Sequence, residues 1–184
     1  MNAVKQKTSE SSQDACSTDA SDQYLTFLLA EEEYGVEILK VQEIMGWEEA
    51  TPIPNTPDYV SGVVNIRGEI VPVIDLRRRL GLQSIERTAA TVVIVVRMQS
   101  EEQERTVGLL VDAVSDVYHF DPEQIQATPA LVTEMSTEQV RGLATIEKQI
   151  VLILDVDRLI DFDEIEVSAR PGPAYNTIES EITK

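Results

Sequence analysis

One imidazole, one thiol and a surplus of carboxylates are the reactive groups of this 184-residue chain. Hydrolysis needs a nucleophile, a base and a group that orients the base. His119 is the only imidazole, and between Tyr118 and Phe120 it reads as a partly buried or surface histidine. No multi-histidine metal site can form around it. Cys16 stands alone, which excludes an intramolecular disulfide and a cysteine-based zinc cluster. Carboxylates abound without falling into a motif. The Glu31-Glu32-Glu33 run and Glu101-Glu102 read as solvated turns, and Asp155-Val156-Asp157 does not continue as a calcium loop. No three of the eight glycines make a phosphate-binding loop. The chain is therefore expected to be no enzyme, with no catalytic residue, no metal and no cofactor.

The most specific stretch is residues 62–76, Gly-Val-Val-Asn-Ile-Arg-Gly-Glu-Ile-Val-Pro-Val-Ile-Asp-Leu. Its Asn65-Ile66-Arg67-Gly68 reads as a tight turn between two apolar strands, with Gly68 supplying a positive φ. Such a turn holds the Arg67 side chain out towards solvent. The plain alternative role for Arg67 is an exposed ion pair, easy to form in so acidic a chain. Pro72 lacks an N–H and is expected at a strand edge or a bulge.

These residues need elements to position them, and most of the chain reads as strand. Residues 24–29 and 34–38 carry β-formers. Residues 70–74, 91–96, 107–111 and 150–154 are apolar and β-branched, the pattern of strands buried on both faces. Residues 101–104 read as a charged hairpin tip. Helical pieces are short: Asp75 caps a turn that Gly81 stops, and Asp121-Pro122-Glu123 starts another. Residues 1–22 hold few apolar side chains and are expected to be disordered, and residues 163–184 to form an acidic, mostly flexible tail. Lys and Arg number 15 against 33 Asp and Glu, a net charge of −18. That balance argues against nucleic acid and against an anionic membrane surface as partner. No run of about 18 apolar residues supports direct membrane insertion, and no apolar leader precedes the core, so a cytoplasmic protein is expected.

An internal repeat organises the core. Shifting residues 59–80 forward by 80 aligns Val60 with Val140, Gly62 with Gly142, Ile70 with Ile150, Asp75 with Asp155 and Arg78 with Arg158. A shift of 73 aligns Gly35, Val41 and Ile44 with Gly108, Val114 and Val117. In the second copy Glu147-Lys148 replaces Arg67-Gly68, so the fold template does not require Arg67. The repeat predicts a mainly β fold: two small closed barrels packed around a shared core, with a few short helices. The contiguous halves, about 23–88 and 89–160, are expected to form one barrel each, since halves this small are marginal alone and closure removes sticky edges.

The chain resembles the bacterial chemotaxis coupling protein CheW family over about residues 23–162. The resemblance runs through Tyr34-Gly35-Val36-Glu37-Ile38-Leu39-Lys40-Val41-Gln42-Glu43-Ile44, then Asn55-Thr56-Pro57, then residues 62–76, 91–96, 108–117 and 143–159. It implies two SH3-like five-stranded β-barrels packed around a shared core, in agreement with the repeat, and a non-enzymatic adaptor recruited to membrane-associated receptor arrays. The implied partners are the regulatory domain of a CheA-type histidine kinase and the cytoplasmic tip of methyl-accepting chemoreceptors. Residue by residue, it implies receptor-binding roles for Arg67, Val41, Val117, Gly62 and Gly142. Glu43 and Ile44 fall where the first barrel meets the kinase. For Val41 and Val117 the alternative is core packing, and for the two glycines backbone geometry. Two other functions stay open: a scaffold of the same fold in twitching motility or gene control, and a small-molecule-binding double barrel. Long tails and an acidic hairpin over residues 99–105 depart from the compact family pattern.

Overall fold

The structure is a computed structural model that describes residues 23–99, 104–127, 139–162 and 165. Both expected tails, Ile165 apart, and residues 101–103 of the hairpin tip lie outside the described residues. The first repeat supplies β1 (Gln23–Leu29), β2 (Glu32–Glu37), β3 (Val41–Gly46), β4 (Val60–Ile66), β5 (Glu69–Asp75) and α1 (Leu76–Arg79). The second supplies β6 (Val92–Gln99), β7 (Glu104–Val111), β8 (Ala113–His119), β9 (Val140–Ile146), β10 (Gln149–Leu154) and α2 (Val156–Leu159).

The strands form two five-stranded sheets, in the orders β8-β1-β2-β10-β9 and β3-β6-β7-β5-β4. Replacing each strand by its repeat partner turns one order into the other. The duplication is thus real, and the hairpins β4–β5 and β9–β10 occupy matching places. The split at residue 88 is corrected: neither sheet is made from one half. Sheet A takes β1 and β2 from the first repeat and β8–β10 from the second, and sheet B the converse. Parallel pairs join the copies, Val151–Ile153 along Glu33–Gly35 and Val73–Asp75 along Gly108–Leu110. A repeat therefore completes no sheet by itself, in keeping with the small core that about 65 residues can bury.

Each sheet closes on itself through one isolated bridge. Thr51, beyond β3, exchanges both backbone bonds with Val63 of β4 at 2.8 Å. Gln126, beyond β8, does the same with Leu143 of β9, also at 2.8 Å. The short helical pieces match their caps: the Asp75 carboxylate accepts from the Arg78 amide, and Gly81 follows at φ +72°. The start at Asp121 extends only to a single 3-10 turn, Pro122–Gln124. Two turn details differ from expectation. Ala30 and Glu31 make the first hairpin turn, while Glu32 and Glu33 belong to β2. Pro72 lies within β5, not at an edge. Its partner Val63 spends its backbone bonds on Thr51, so their pairing needs no N–H, and the register with β7 begins only at Val73.

The apolar runs fill three cores. Along β6, Val93 and Val95 face the interior of barrel B with Val73 and Leu110. Ile94, Val96 and Met98 face the joint between barrels, where Phe27, Leu29 and Tyr34 arrive from sheet A. Tyr24, Val151, Ile153 and Phe120 fill barrel A. Burying each such side chain contributes about 1.5–3 kcal/mol, which makes the shared joint the main source of cohesion. Residues 70 and 150 break the two-sided pattern: Ile70 is 61% exposed and Ile150 58%.

Candidate partner-binding surfaces

The turn between β4 and β5 builds the first candidate site. Arg67 and Gly68 both take positive φ, +53° and +93°, the pair a two-residue hairpin turn needs. The Asn65 side chain fixes the turn by accepting from the Gly68 amide at 2.8 Å. Arg67 is held out as the sequence predicts, with its side chain 84% exposed. Its Nη2 donates to Glu43 Oε2 at 2.6 Å, across to β3. Ile44, next along β3, is 46% exposed. The structure thus joins Arg67 to Glu43, which shares the face of Val95, while Ile44 pairs with Ile94 and points to the other face of β3.

Val41 opens β3, half-buried, and packs against the shared core. Val117 lies on β8 of the other barrel and is 44% exposed. Both valines follow the points where the chain crosses between sheets. Core packing accounts for much of Val41 and for little of Val117.

Gly62 and Gly142 belong elsewhere. Both are buried at the bridges that close the barrels. At Gly62, φ is +136° and an added Cβ would lie 2.3 Å from the Thr51 carbonyl oxygen. At Gly142 the added carbon would lie 2.7 Å from the Gln126 oxygen and 2.6 Å from Ile125 Cγ2. These glycines let two backbones approach, a geometric role that needs no partner to explain it.

Sequence reasoning passed over Ile70 and Ile150, reading them as buried. The available signal was that both copies place an isoleucine beside the hairpin turn, just before the alternation that fills the barrel. It also passed over the ion pairs at the two crossovers, Arg77 with Asp112 and Lys40 with Asp157. His119 is exposed at the end of β8, with Nε2 3.3 Å from Asp121 Oδ1. Among the described residues, no group of three or more His, Cys, Asp or Glu is placed to hold a metal ion. Among them, too, no helix is long and apolar enough to cross a membrane.

A family model for the CheW-like domain matches residues 23–164. The chain is 41% identical over 143 residues to the chemotaxis protein CheW of Klebsiella aerogenes, covering 78% of this chain and 84% of that one. It is 30% identical over 153 residues to the CheW of Bacillus subtilis, covering 83% and 95%. Among solved structures it is similar to the scaffolding protein TtCheW from Thermoanaerobacter tengcongensis. There the TM-score is 0.70 at 33% identity, covering 77% of this chain and 88% of that one.

Proposed function

The chain belongs to the CheW-like family of chemotaxis scaffolds, and from that membership we propose that it couples the cytoplasmic tips of methyl-accepting chemoreceptors to the regulatory domain of a CheA-type histidine kinase. In this reading it works in the cytoplasm, at membrane-associated receptor arrays. The observation that carries the reading is the pair Arg67–Glu43 at 2.6 Å. It joins a residue matched to receptor binding with one matched to the kinase face, and the exposed Ile44 follows on the other face of the same strand. An adaptor of this kind acts by binding alone. Apolar side chains fill a partner's pocket, a charged group sets the register, and the signal passes as a shift between bound populations.

Titrating the Arg67→Ala variant tests the reading. The second repeat makes its equivalent turn from Glu147 and Lys148, and exposed ion pairs contribute only about 0–1 kcal/mol. The melting temperature is therefore expected to move by a few degrees at most. Loss of an interface arginine costs about 2 kcal/mol, roughly a thirtyfold loss of affinity for receptor-tip fragments. Kinase regulatory-domain affinity stays near that of the unsubstituted chain. Unchanged receptor affinity, or a chain that binds neither partner before substitution, overturns the assignment.

A further inference from the structure

Each repeat leaves its own sheet at one point, and a carboxylate stands at each crossing. The second crossing, from β7 to β8, is Asp112. Its carboxylate accepts from Arg77 Nε at 2.7 Å, Arg77 Nη2 at 2.5 Å and the Ala30 amide at 3.0 Å. Arg77 belongs to α1, after the last strand that the first repeat gives to sheet B. Ala30 belongs to the β1–β2 turn of sheet A. The first crossing, from β2 to β3, is the turn Ile38–Lys40. Lys40 pairs there with Asp157 of α2, after the last strand of sheet A. The other oxygen of Asp157 accepts from the Gln99 amide at 2.8 Å, at the end of β6 in sheet B. Each carboxylate thus fastens elements of both sheets.

The two arrangements are the same device with the charges exchanged. The shift of 80 puts Asp157 on Arg77, and the shift of 73 puts Leu39, next to Lys40, on Asp112. One copy has its acid at the crossing and its base on the helical turn; the other has the reverse. A pairing that occurs in both copies with inverted sign points to the attraction itself as the shared requirement. Loose surface pairs contribute little. These four side chains are half-buried, and each carboxylate also holds a backbone amide, which separates them from that class.

We propose that Lys40, Asp157, Arg77 and Asp112 are positioning residues: two clasps of opposite polarity that fasten the crossovers and so hold Val41 and Val117 in their relative place. Val41 directly follows Lys40, and β8, which starts immediately after Asp112, carries Val117. That the held valines serve receptor docking rests on the functional reading above; the fastening itself does not.

The test is a charge exchange in the full chain: Lys40→Asp, Asp157→Arg, and the double variant K40D/D157R, which copies the polarity of the Arg77–Asp112 clasp. The Val41 amide donates to the Ile38 carbonyl within the crossover, so its hydrogen exchange reports opening there without any partner. Each single substitution is expected to speed that exchange about tenfold while Ile94, in the middle of β6, keeps its rate. Affinity for a receptor-tip fragment falls about fivefold to tenfold, kinase regulatory-domain affinity holds, and the double variant restores both readouts. If Lys40→Asp fails to fold, Lys40→Met removes the charge, keeps the stem and carries the same expectation. Unchanged exchange in the singles, or a folded double variant as open as they are, overturns the clasp. Restored exchange with no receptor binding by any form, the unsubstituted chain included, upholds the clasp and overturns the functional reading instead.

Discussion

Gly62 and Gly142 separate what a residue touches from what it permits. At Gly62 an alanine meets a backbone oxygen at 2.3 Å and must also hold φ at +136°. At Gly142 the overlap is milder and the backbone lies outside the left-handed region. Gly62→Ala is therefore expected to cost about 3 kcal/mol or more, and Gly142→Ala less, in denaturant unfolding. Equal losses would contradict the difference in backbone conformation. Ile44 poses the opposite case, an apolar side chain left in water. Ile44→Asp should leave the melt near that of the unsubstituted chain while kinase regulatory-domain binding falls at least a hundredfold, because an unpaired charge in an interface centre has no compensation. A variant that unfolds would make Ile44 a core residue; one that binds normally would move the kinase face elsewhere. Ile44 was reached only through the family resemblance, whereas Arg67 was legible because a two-residue turn exposes its residue whatever lies beyond. The partner of Arg67 was not, since Glu43 is 24 residues away and nothing local announces it.

At the scale of elements, the strands and caps were legible because each obeys a local rule: alternation, β-branched runs, an Asp before a helical turn. Which copy of a strand pairs with which was not. Two copies carry the same pattern, so a closed barrel from one half and an exchanged pair of barrels satisfy the sequence equally well; only the short crossovers decide between them. Ile70 and Ile150 misled for a related reason, since a β-branched run looks alike whether it stops at the barrel mouth or continues outside. The hairpin turns show how far duplication can drift. Glu147 and Lys148 hold φ at +45° and +87°, values the first copy meets with Arg67 and Gly68. Left-handed backbone costs a side-chain-bearing residue about 1–2 kcal/mol, partly offset by the looser unfolded chain that glycine brings. Lys148→Gly is expected to raise stability by about 0.5–1 kcal/mol in a urea melt. A loss would mean that the lysine side chain makes a compensating contact.

For the molecule as a whole, charge and the interlocked sheets meet at Asp112. A net charge of −18 repels itself at neutral pH, so mild acidification relieves strain on the fold until particular carboxylates protonate. Asp112 is one whose protonation does harm. Burial alone would raise its pKa, but the hydrogen bonds from Arg77 and the Ala30 amide, with the Arg77 charge, hold it below the ordinary carboxylate value. A carboxylate with a depressed folded pKa adds stability that is fully present above the unfolded value, near 3.8, and disappears as pH falls through the folded value. Asp112→Asn removes this contribution at every pH. At pH 7 the variant is expected to be less stable by about 1.5–3 kcal/mol, the usual worth of a hydrogen bond to a charged group that is partly shielded from water. The gap between the two chains should stay constant down to about pH 4 and close below it, because the protonated carboxyl and the amide then differ little. Urea melts of both chains at several pH values between about 2 and 7 measure that gap directly, and the shared repulsion cancels in the difference. A gap that persists unchanged at the lowest pH would show that Asp112 acts through its shape and not through its negative charge.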